Sequence, residues 1–392
     1  MKFGVLVSSL KSLGLFLVAC VSLSCSDSKG ELEQDAGILS DAKPSLPDGM
    51  PPLPDGKLPP FPKDGQVPSV AKLNVFYVIH AHLSDDRLPY DSKLMKDGDL
   101  NGTKADNMVA LIRAIKAVAD KHGLKIAWQP TIGPAKGFCQ HQGSDHIFKE
   151  LLGEGHEIGV HAHKSADLEP TYDYLTNDCG LDAKQITSGS GYQAFLGNTT
   201  GAERTALFSE SVKQYTGWGV TVGTSNLIPD SDGSHEMAPV CTTQWGKNSD
   251  SWKTTGNFLY PWKPDISNAV PCDHDPNGTF VMVDHSGPDW TLASGKKANV
   301  LTDLEFGELQ VYFDAAVSAA ANTGNTGTNG NVAAWGFVTH ITEYTAHNTG
   351  EGSPNQGALD ALDTFLSYID TKRDQGLVTY STPSNIAQSA YP

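Results

Sequence analysis

Short apolar runs alternate with longer amphipathic stretches along most of the chain after residue 70. Short buried runs predict strands, and apolar positions recurring every three or four residues predict helices. Strands are predicted over residues 73–80, 124–131, 156–161, 219–223, 257–260, 279–284, 334–340 and 377–381. Helices are predicted over residues 104–122, 144–152, 202–215, 303–321 and 356–374. This alternation predicts an α/β fold in which seven or eight units form a parallel (β/α) barrel.

The amino terminus follows a different pattern. Lys2 is followed by an apolar stretch up to residue 19, which is typical of a signal peptide and too short to span a bilayer. The Leu-Val-Ala run before Cys20 fits the pattern read by the lipoprotein signal peptidase, so we expect a leader over residues 1–19 and lipidation of Cys20. Lipidation at Cys25 and an ordinary secretory signal are the alternatives. In each case the mature chain is exported, and with a lipid it is anchored to the cell envelope, in the periplasm or at the cell surface.

Residues 20–69 are predicted to form a tether. They are rich in Pro, Gly, Asp and Ser, contain few aromatic residues and loosely repeat the run LPDG. Such a segment cannot bury a core and forms a semi-extended spacer, which reaches on the order of 100 Å at about 3 Å per residue. Residues 70–392 are then long enough for one barrel-sized domain.

Export changes how the cysteines of this domain are interpreted. Four remain in it, an even number, and an oxidising compartment favours disulfides over free thiols. Sequence proximity favours Cys139 with Cys179 and Cys241 with Cys272, among three possible sets of pairs. A zinc cluster is disfavoured because no two of these cysteines have the C-x-x-C spacing.

The formal net charge of −17 limits the choice of partners. Nucleic acid and anionic membrane surfaces are bound by basic patches, so neither is expected as a partner. We expect contact with a membrane through the lipid alone, and no protein partner is inferred. A neutral or cationic substrate suits this charge better.

Three predicted strands end in histidine. The first run continues into His80 and His82, another into His161 and His163, and a third ends at His340. Active sites of parallel barrels lie at the carboxyl ends of the strands, and residues at i and i+2 of a strand point the same way. Random placement of the histidines would give about 0.4 His-x-His pairs, so two at strand ends favour a metal site over local capping of the strands.

Two aspartates, Asp85 and Asp86, follow the first histidine pair. A carboxylate at this place can bind a metal or act as the base that deprotonates a water molecule. A solvated turn before Pro89 is the alternative. Because zinc needs only three protein ligands to keep one position open, the pattern predicts a hydrolytic metal site.

The run GHEIGVH at residues 155–161 resembles the polysaccharide deacetylase (NodB-homology) family, whose histidine motif commonly follows G-H-E-I-G-x-H. Four weaker likenesses follow the family's order along the chain: the acidic pair at 85–86, YPWKP at 260–264 for its Arg-x-Pro segment, PDW at 288–290 for its Asp-Trp motif, and VTH at 338–340 for its Leu-x-His motif. The ending LVTYSTPSNIAQ resembles the family's closing strand and short helix, so the likeness spans about residues 73–388.

This resemblance implies a distorted seven-stranded deacetylase-type barrel that holds a divalent metal, zinc by expectation, and removes acetyl groups from a polysaccharide. The implied metal ligands are His80, His82, His161 and His163. An aspartate, Asp85 or Asp86, would act as the base and His340 as the acid toward the leaving group. The implied substrate contacts are Trp262, Lys263, Asp289 and Trp290. Trp262, Trp290 and Tyr344 are candidates for stacking on sugar rings, with a core role as the alternative for each.

Two departures from the family keep other functions open. Ser165 stands where the family has its second motif histidine, with His163 the nearest substitute, and histidines occupy the place of its acidic pair. The opening IHAHL also resembles glycoside hydrolase family 57, whose chemistry would need two carboxylates about 5 to 10 Å apart. An amidohydrolase-type enzyme would need a lysine bridging two metals, and no lysine closes a central predicted strand. A surface glycan-binding lipoprotein with a degenerate site is the third alternative.

Overall fold

The computed structural model describes residues 72–81, 102–162, 165–190, 201–225, 260–266, 274–284, 303–322, 332–345 and 353–392. These residues belong to the compact unit that runs from Asp64 to Pro392. The predicted leader and tether and the first three residues of the strand predicted at 257–260 lie outside the described residues. None of the helices in the described ranges is both long and apolar enough to cross a membrane.

The described residues contain eight strands, seven of which follow one another across a sheet. Their bounds are β1 Leu73–Ala81, β2 Ile126–Pro130, β3 Glu157–His161, β4 Ile186–Ser190, β5 Val222–Ser225, β6 Val281–Asp284, β7 Ala334–His340 and β8 Val378–Tyr380.

Helices connect most of these strands. Their bounds are α1 Gly102–Lys121, α2 Ile132–Gln142, α3 Ile147–Gly153, α4 Ser165–Asp173, α5 Gly201–Trp218, α6 Asp303–Asn322, α7 Gln356–Asp374 and α8 Pro383–Ala390. A short 3₁₀ turn, Ile341–Tyr344, follows β7. The sequence predicted neither α2 nor α4 nor β4, and the other predicted helices agree with α1, α3, α5, α6 and α7 within a few residues at each end.

All of the strand ladders are parallel, and the strand order is β6-β5-β4-β3-β2-β1-β7. The short β8 pairs with the first residues of β1, from Leu73 to Val75, while β2 pairs with the last ones, from Tyr77 to Ala81. One edge of β1 is thus shared by two strands. The sheet with its surrounding helices forms a parallel half-barrel, which confirms the predicted fold class.

Alternate residues of β1 point to opposite sides of the sheet. Tyr77 and Ile79 belong to the large core between the sheet and the helices. Phe76 and Val78 belong to a second, smaller core inside the curved sheet. Gly336 of β7 faces this interior, where a Cβ would lie 2.2 Å from the ring of Phe76, so only glycine fits against that ring.

The last helix, α8, packs into the interior of the sheet. Its Ile386 belongs to the inner core together with residues of five strands. A carboxylate stabilises the helix start, because the Ser384 backbone N–H donates to Glu157 Oε1 at 3.2 Å. Burial raises the pKa of Glu157, a shift that hydrogen bonds from Thr382 and Ser384 oppose. Helix α8 and the buried Glu157 therefore fill the amino-terminal part of the sheet interior.

A disulfide joins Cys139 in α2 to Cys179, which follows the turn after α4. This is the pairing that sequence proximity favours. The other expected pair, Cys241 and Cys272, lies outside the described residues.

Candidate functional site

Three strand-end histidines face the interior of the sheet at its carboxyl end. His80 of β1 and His340 of β7 lie two residues beyond Val78 and Val338, both members of the inner core. His161 lies at the end of β3, and the three residues are 5% exposed or less. The carboxyl ends of parallel strands lie at one end of the sheet, which is called its mouth below. The sequence alone therefore predicted that the three histidines lie close together.

The imidazole of His80 contacts the rings of both other histidines. The rings of His80 and His161 are stacked, with centroids 3.9 Å apart and planes 11° apart, although β2 lies between their strands. His340 is the register partner of His80, and its ring meets that of His80 edge to face at 5.4 Å. The mouth of the sheet is therefore lined by a compact cluster of three imidazoles.

A buried carboxylate holds His340 in place. Glu343 in the 3₁₀ turn accepts the His340 backbone N–H at 2.8 Å, and its other oxygen lies 3.2 Å from His340 Nδ1. Glu343 is 1% exposed, so water does not compete for these bonds. The His340 side chain also accepts the Glu343 backbone N–H, so the backbone and the carboxylate of Glu343 together fix the orientation of the ring. Sequence reasoning missed Glu343; the signal was the capping-box spacing from His340 to Glu343.

A polar layer lies beneath the imidazoles. Gln129 of β2 is the register partner of His80, and its Nε2 donates to Thr224 Oγ1 at 2.7 Å and Ser188 Oγ at 3.2 Å. Gly159 makes this reach across β3 possible, because a Cβ there would lie 2.6 Å from Ser188 Oγ and 2.9 Å from Gln129 Cγ. The layer was not predicted, because the contacts join three strands that are far apart in sequence.

The start of the GHEIGVH run has a different role from its end. His156 lies just before β3, at the opposite end from the imidazole cluster, and its ligand atoms come within 4.8 Å of those of Asp120 and Glu154. Its Nδ1 accepts the Ile126 backbone N–H at 3.0 Å, so the neutral ring carries its proton on Nε2, 3.4 Å from Asp120 Oδ1. Lys116 already pairs with both acids. This group is thus an ionic network, since the ring offers no lone pair to a metal.

Six of the predicted site residues lie outside the described residues: His82, Asp85, Asp86, His163, Asp289 and Trp290. Other predicted residues have a structural role instead. Trp262 is 1% exposed and bonded through its backbone to Met282, and Tyr344 is fully buried with its hydroxyl 2.7 Å from that of Tyr77. Both therefore take the core role, and neither offers a face to a sugar ring.

Lys263, the remaining predicted substrate contact, is partly exposed. Its ammonium lies 4.8 Å from the ring centroid of Tyr391, and its backbone N–H donates to His274 Nδ1 at 3.2 Å. This cation–π contact ties Lys263 to the end of the chain that follows α8. The contact gives Lys263 a structural role near the carboxyl terminus.

The donor chemistry of the mouth suits a borderline metal such as zinc, which binds imidazole nitrogen at about 2.0–2.1 Å. Because His80 and His161 are stacked, one ion cannot lie in both ring planes, so one ring must turn for both to bind. Within the described residues, the ligand atoms of the three imidazoles do not all lie within 4.8 Å of one another. The three rings as placed therefore do not converge on one ion, and a metal site here requires one ring to turn and further ligands to join it.

No family model matches the chain, and no curated protein matches it. Among solved structures, a protein assigned as a polysaccharide deacetylase from Mycobacterium smegmatis aligns at 11% identity and a TM-score of 0.48, over 83% of this chain and 92% of that one. An allantoinase aligns at 12% identity and a TM-score of 0.46, over 82% and 91% of the two chains. A peptidoglycan N-acetylglucosamine deacetylase aligns at 12% identity and a TM-score of 0.29, over 82% and 90%. At such values a function has to be argued from the site itself.

Proposed function

We propose that the chain is a metal-dependent hydrolase that removes acetyl groups from an envelope or extracellular polysaccharide. The observation that carries this proposal is the buried cluster of His80, His161 and His340 at the carboxyl end of parallel strands, with Glu343 behind His340. Imidazoles in this place would supply both metal ligands and a general acid, two kinds of group that metal-dependent deacetylation uses.

His80 and His161 would hold the metal. The segments that directly follow β1 and β3 contain the residues proposed to complete the site: His82, Asp85, Asp86 and His163. When bound, a divalent ion polarises the acetyl carbonyl and makes a nucleophile available near neutral pH. Gln129, the register partner of His80, is fixed by two hydroxyl groups.

His340 would donate a proton to the leaving amine or alcohol. The contacts with Glu343 orient the ring, and the carboxylate would stabilise the charged form of the ring, which has a proton to give. An aspartate at 85 or 86 would take the proton of the attacking water. The products are acetate and a glycan with a free amine or hydroxyl group.

The proposed location is the cell envelope, with the chain held there by a lipid on Cys20. A tether over residues 20–69 would let the site reach polymer at a distance from the membrane. The net charge of −17 disfavours a polyanionic substrate, so a neutral or amine-bearing glycan is proposed.

Acetate release tests the proposal directly. The purified chain, loaded with zinc, is incubated with acetylated chitooligosaccharide, peptidoglycan and acetylxylan, and acetate is measured. We expect release from at least one polymer, and a strong chelator should abolish it until zinc is restored. His340→Ala should lower turnover by about a hundredfold or more while the metal stays bound.

The glycosidase and the glycan-binding protein give distinct results in the same assay. Cleavage of glycosidic bonds that survives the chelator would identify a glycosidase and overturn the proposal. Binding to a polymer without release of acetate, by a chain that contains its metal, would identify a glycan-binding protein. His141→Ala, which alters an exposed histidine at the end of α2, is the matched control and should release acetate at the rate of the unaltered chain.

A further inference from the structure

Cys139, Cys179 and His146 form a second cluster of metal-binding groups, separate from the mouth of the sheet. The two sulfur atoms and one ring nitrogen of His146 lie within 4.8 Å of one another, and all three side chains are buried. The sulfurs form a disulfide in this structure. Two cysteines and one histidine are a donor set that zinc and other thiophilic ions prefer.

His146 is oriented as a metal ligand would be. Its Nε2 lies 2.8 Å from the backbone carbonyl oxygen of Cys179 and donates to it, which places the lone pair on Nδ1. Nδ1 is buried and has no hydrogen-bond partner, although the residue is fully enclosed. Metal-binding histidines typically donate their other ring N–H to a carbonyl or carboxylate, and this bond fixes the tautomer.

Burial also lowers the pKa of the His146 ring. His156, by contrast, uses its Nδ1 to accept a backbone N–H and cannot bind an ion in this way. The buried and unpartnered Nδ1 of His146 is therefore a second observation, besides the closeness of the two sulfurs, that suits a ligand in this cluster.

We propose that Cys139, His146 and Cys179 bind a thiophilic divalent ion when the disulfide is reduced, so that disulfide and metal are mutually exclusive states of one site. A dithiol reductant transfers two electrons and two protons to the disulfide, breaking the S–S bond and leaving two thiols. The ion then replaces the two thiol protons, which are released to solvent. The site joins α2 to the turn after α4 in both states. It does not depend on the function proposed for the mouth of the sheet.

Cobalt binding distinguishes this site from the imidazole cluster, because thiolate ligands give a sulfur-to-cobalt charge-transfer absorption that nitrogen and oxygen ligands do not. The full chain is reduced with a phosphine in the absence of oxygen and titrated with Co²⁺, and Zn²⁺ is then added in competition. We expect this absorption in the reduced chain and none in the oxidised chain. Cys139→Ser should remove it, whereas Cys241→Ser should retain it.

His146 has its own test and control. His146→Gln should weaken zinc binding to the reduced chain by about tenfold or more, whereas His141→Gln, at an exposed position of α2, should leave the affinity unchanged. Charge-transfer absorption that persists in Cys139→Ser, or unchanged zinc affinity in His146→Gln, would overturn the proposal. So would a loss of helical circular dichroism on reduction that zinc does not restore.

Discussion

The imidazole of His340 owes its orientation to one neighbouring side chain, the buried Glu343. The carboxylate holds both the backbone and the ring of His340 from three residues away in the chain. Outer hydrogen bonds of this kind commonly change activity by about 10-fold to 100-fold when they are removed. The role proposed for His340 therefore leads to a prediction at Glu343.

Glu343→Gln should lower the turnover number for acetate release by about tenfold or more while metal content stays the same, because the amide no longer stabilises a charged imidazole. Turnover and bound zinc are measured on the same preparation. Glu150→Gln, which alters an exposed partner of Arg113, is the control and should keep full turnover. An unaltered turnover number in Glu343→Gln would remove Glu343 from the mechanism.

Gly159 is a second single position with a specific consequence. Gly159→Ala should destabilise the fold by about 1–3 kcal/mol, because its Cβ would meet the Ser188 side chain and backbone at 2.6 and 2.7 Å. Urea unfolding followed by circular dichroism measures the change. Gly153→Ala, in a helix with nothing within 4 Å of the added atom, should leave stability unaltered or higher. Equal stability of Gly159→Ala and the unaltered chain would contradict the crowded geometry.

Among the secondary-structure elements, those with a strong apolar period were predictable and those built around polar contacts were not. The run Ile186–Ser190 reads ITSGS and has one large apolar residue, yet it is a central strand because Ser188 faces the polar layer of Gln129. Helix α2 contains Gly133, Pro134 and Gly137, which favour a loop reading, but seven of its residues are buried. Tertiary burial outweighs local propensity in both segments.

The candidate site divides in the same way. His80, His161 and His340 were predictable, because each closes an apolar run and parallel strands end at one edge. Gln129 was not predictable, since its partners are set by strand order and register rather than by local sequence. The burial of Trp262 likewise depends on a backbone bridge to Met282, which no local pattern encodes.

The contact between His156, which precedes β3, and Asp120 of α1 gives a pH-dependent prediction. Burial lowers the pKa of His156 from its ordinary value of 6.5 to about 4, with Asp120 opposing the shift and Lys125 adding to it. The unfolded chain therefore binds a proton at His156 that the folded chain excludes. The stability that the neutral, buried His156 contributes is fully present above pH 6.5 and is lost as the pH falls toward 4.

Between pH 7 and pH 5 this residue alone should lower the free energy of unfolding by about 2 kcal/mol. His156→Gln keeps an acceptor for the Ile126 N–H and should flatten the pH dependence by that amount. Urea unfolding at the two pH values measures it, with His141→Gln as the exposed control. The same pH dependence in His156→Gln as in the unaltered chain would contradict the assignment.

The complete chain is predicted to act as an anchored enzyme. Cys20→Ala should move it from the membrane fraction to the soluble fraction of the exported protein, because the lipid is the only membrane contact expected. Fractionation followed by immunoblotting measures this, and Cys25→Ala should remain with the membrane. The reverse pattern in the two variants would place the lipid on Cys25.

A metal centre formed by imidazoles from separate strands is the feature on which the proposed function depends, and metal content tests it most directly. The oxidised chain, in which Cys139 and Cys179 are joined, is loaded with zinc, dialysed and assayed for metal and for acetate release. We expect about one ion per chain, lost together with activity in His161→Ala and retained in His141→Ala. A His161→Ala variant with full metal content, or acetate release that a chelator does not affect, would contradict the account.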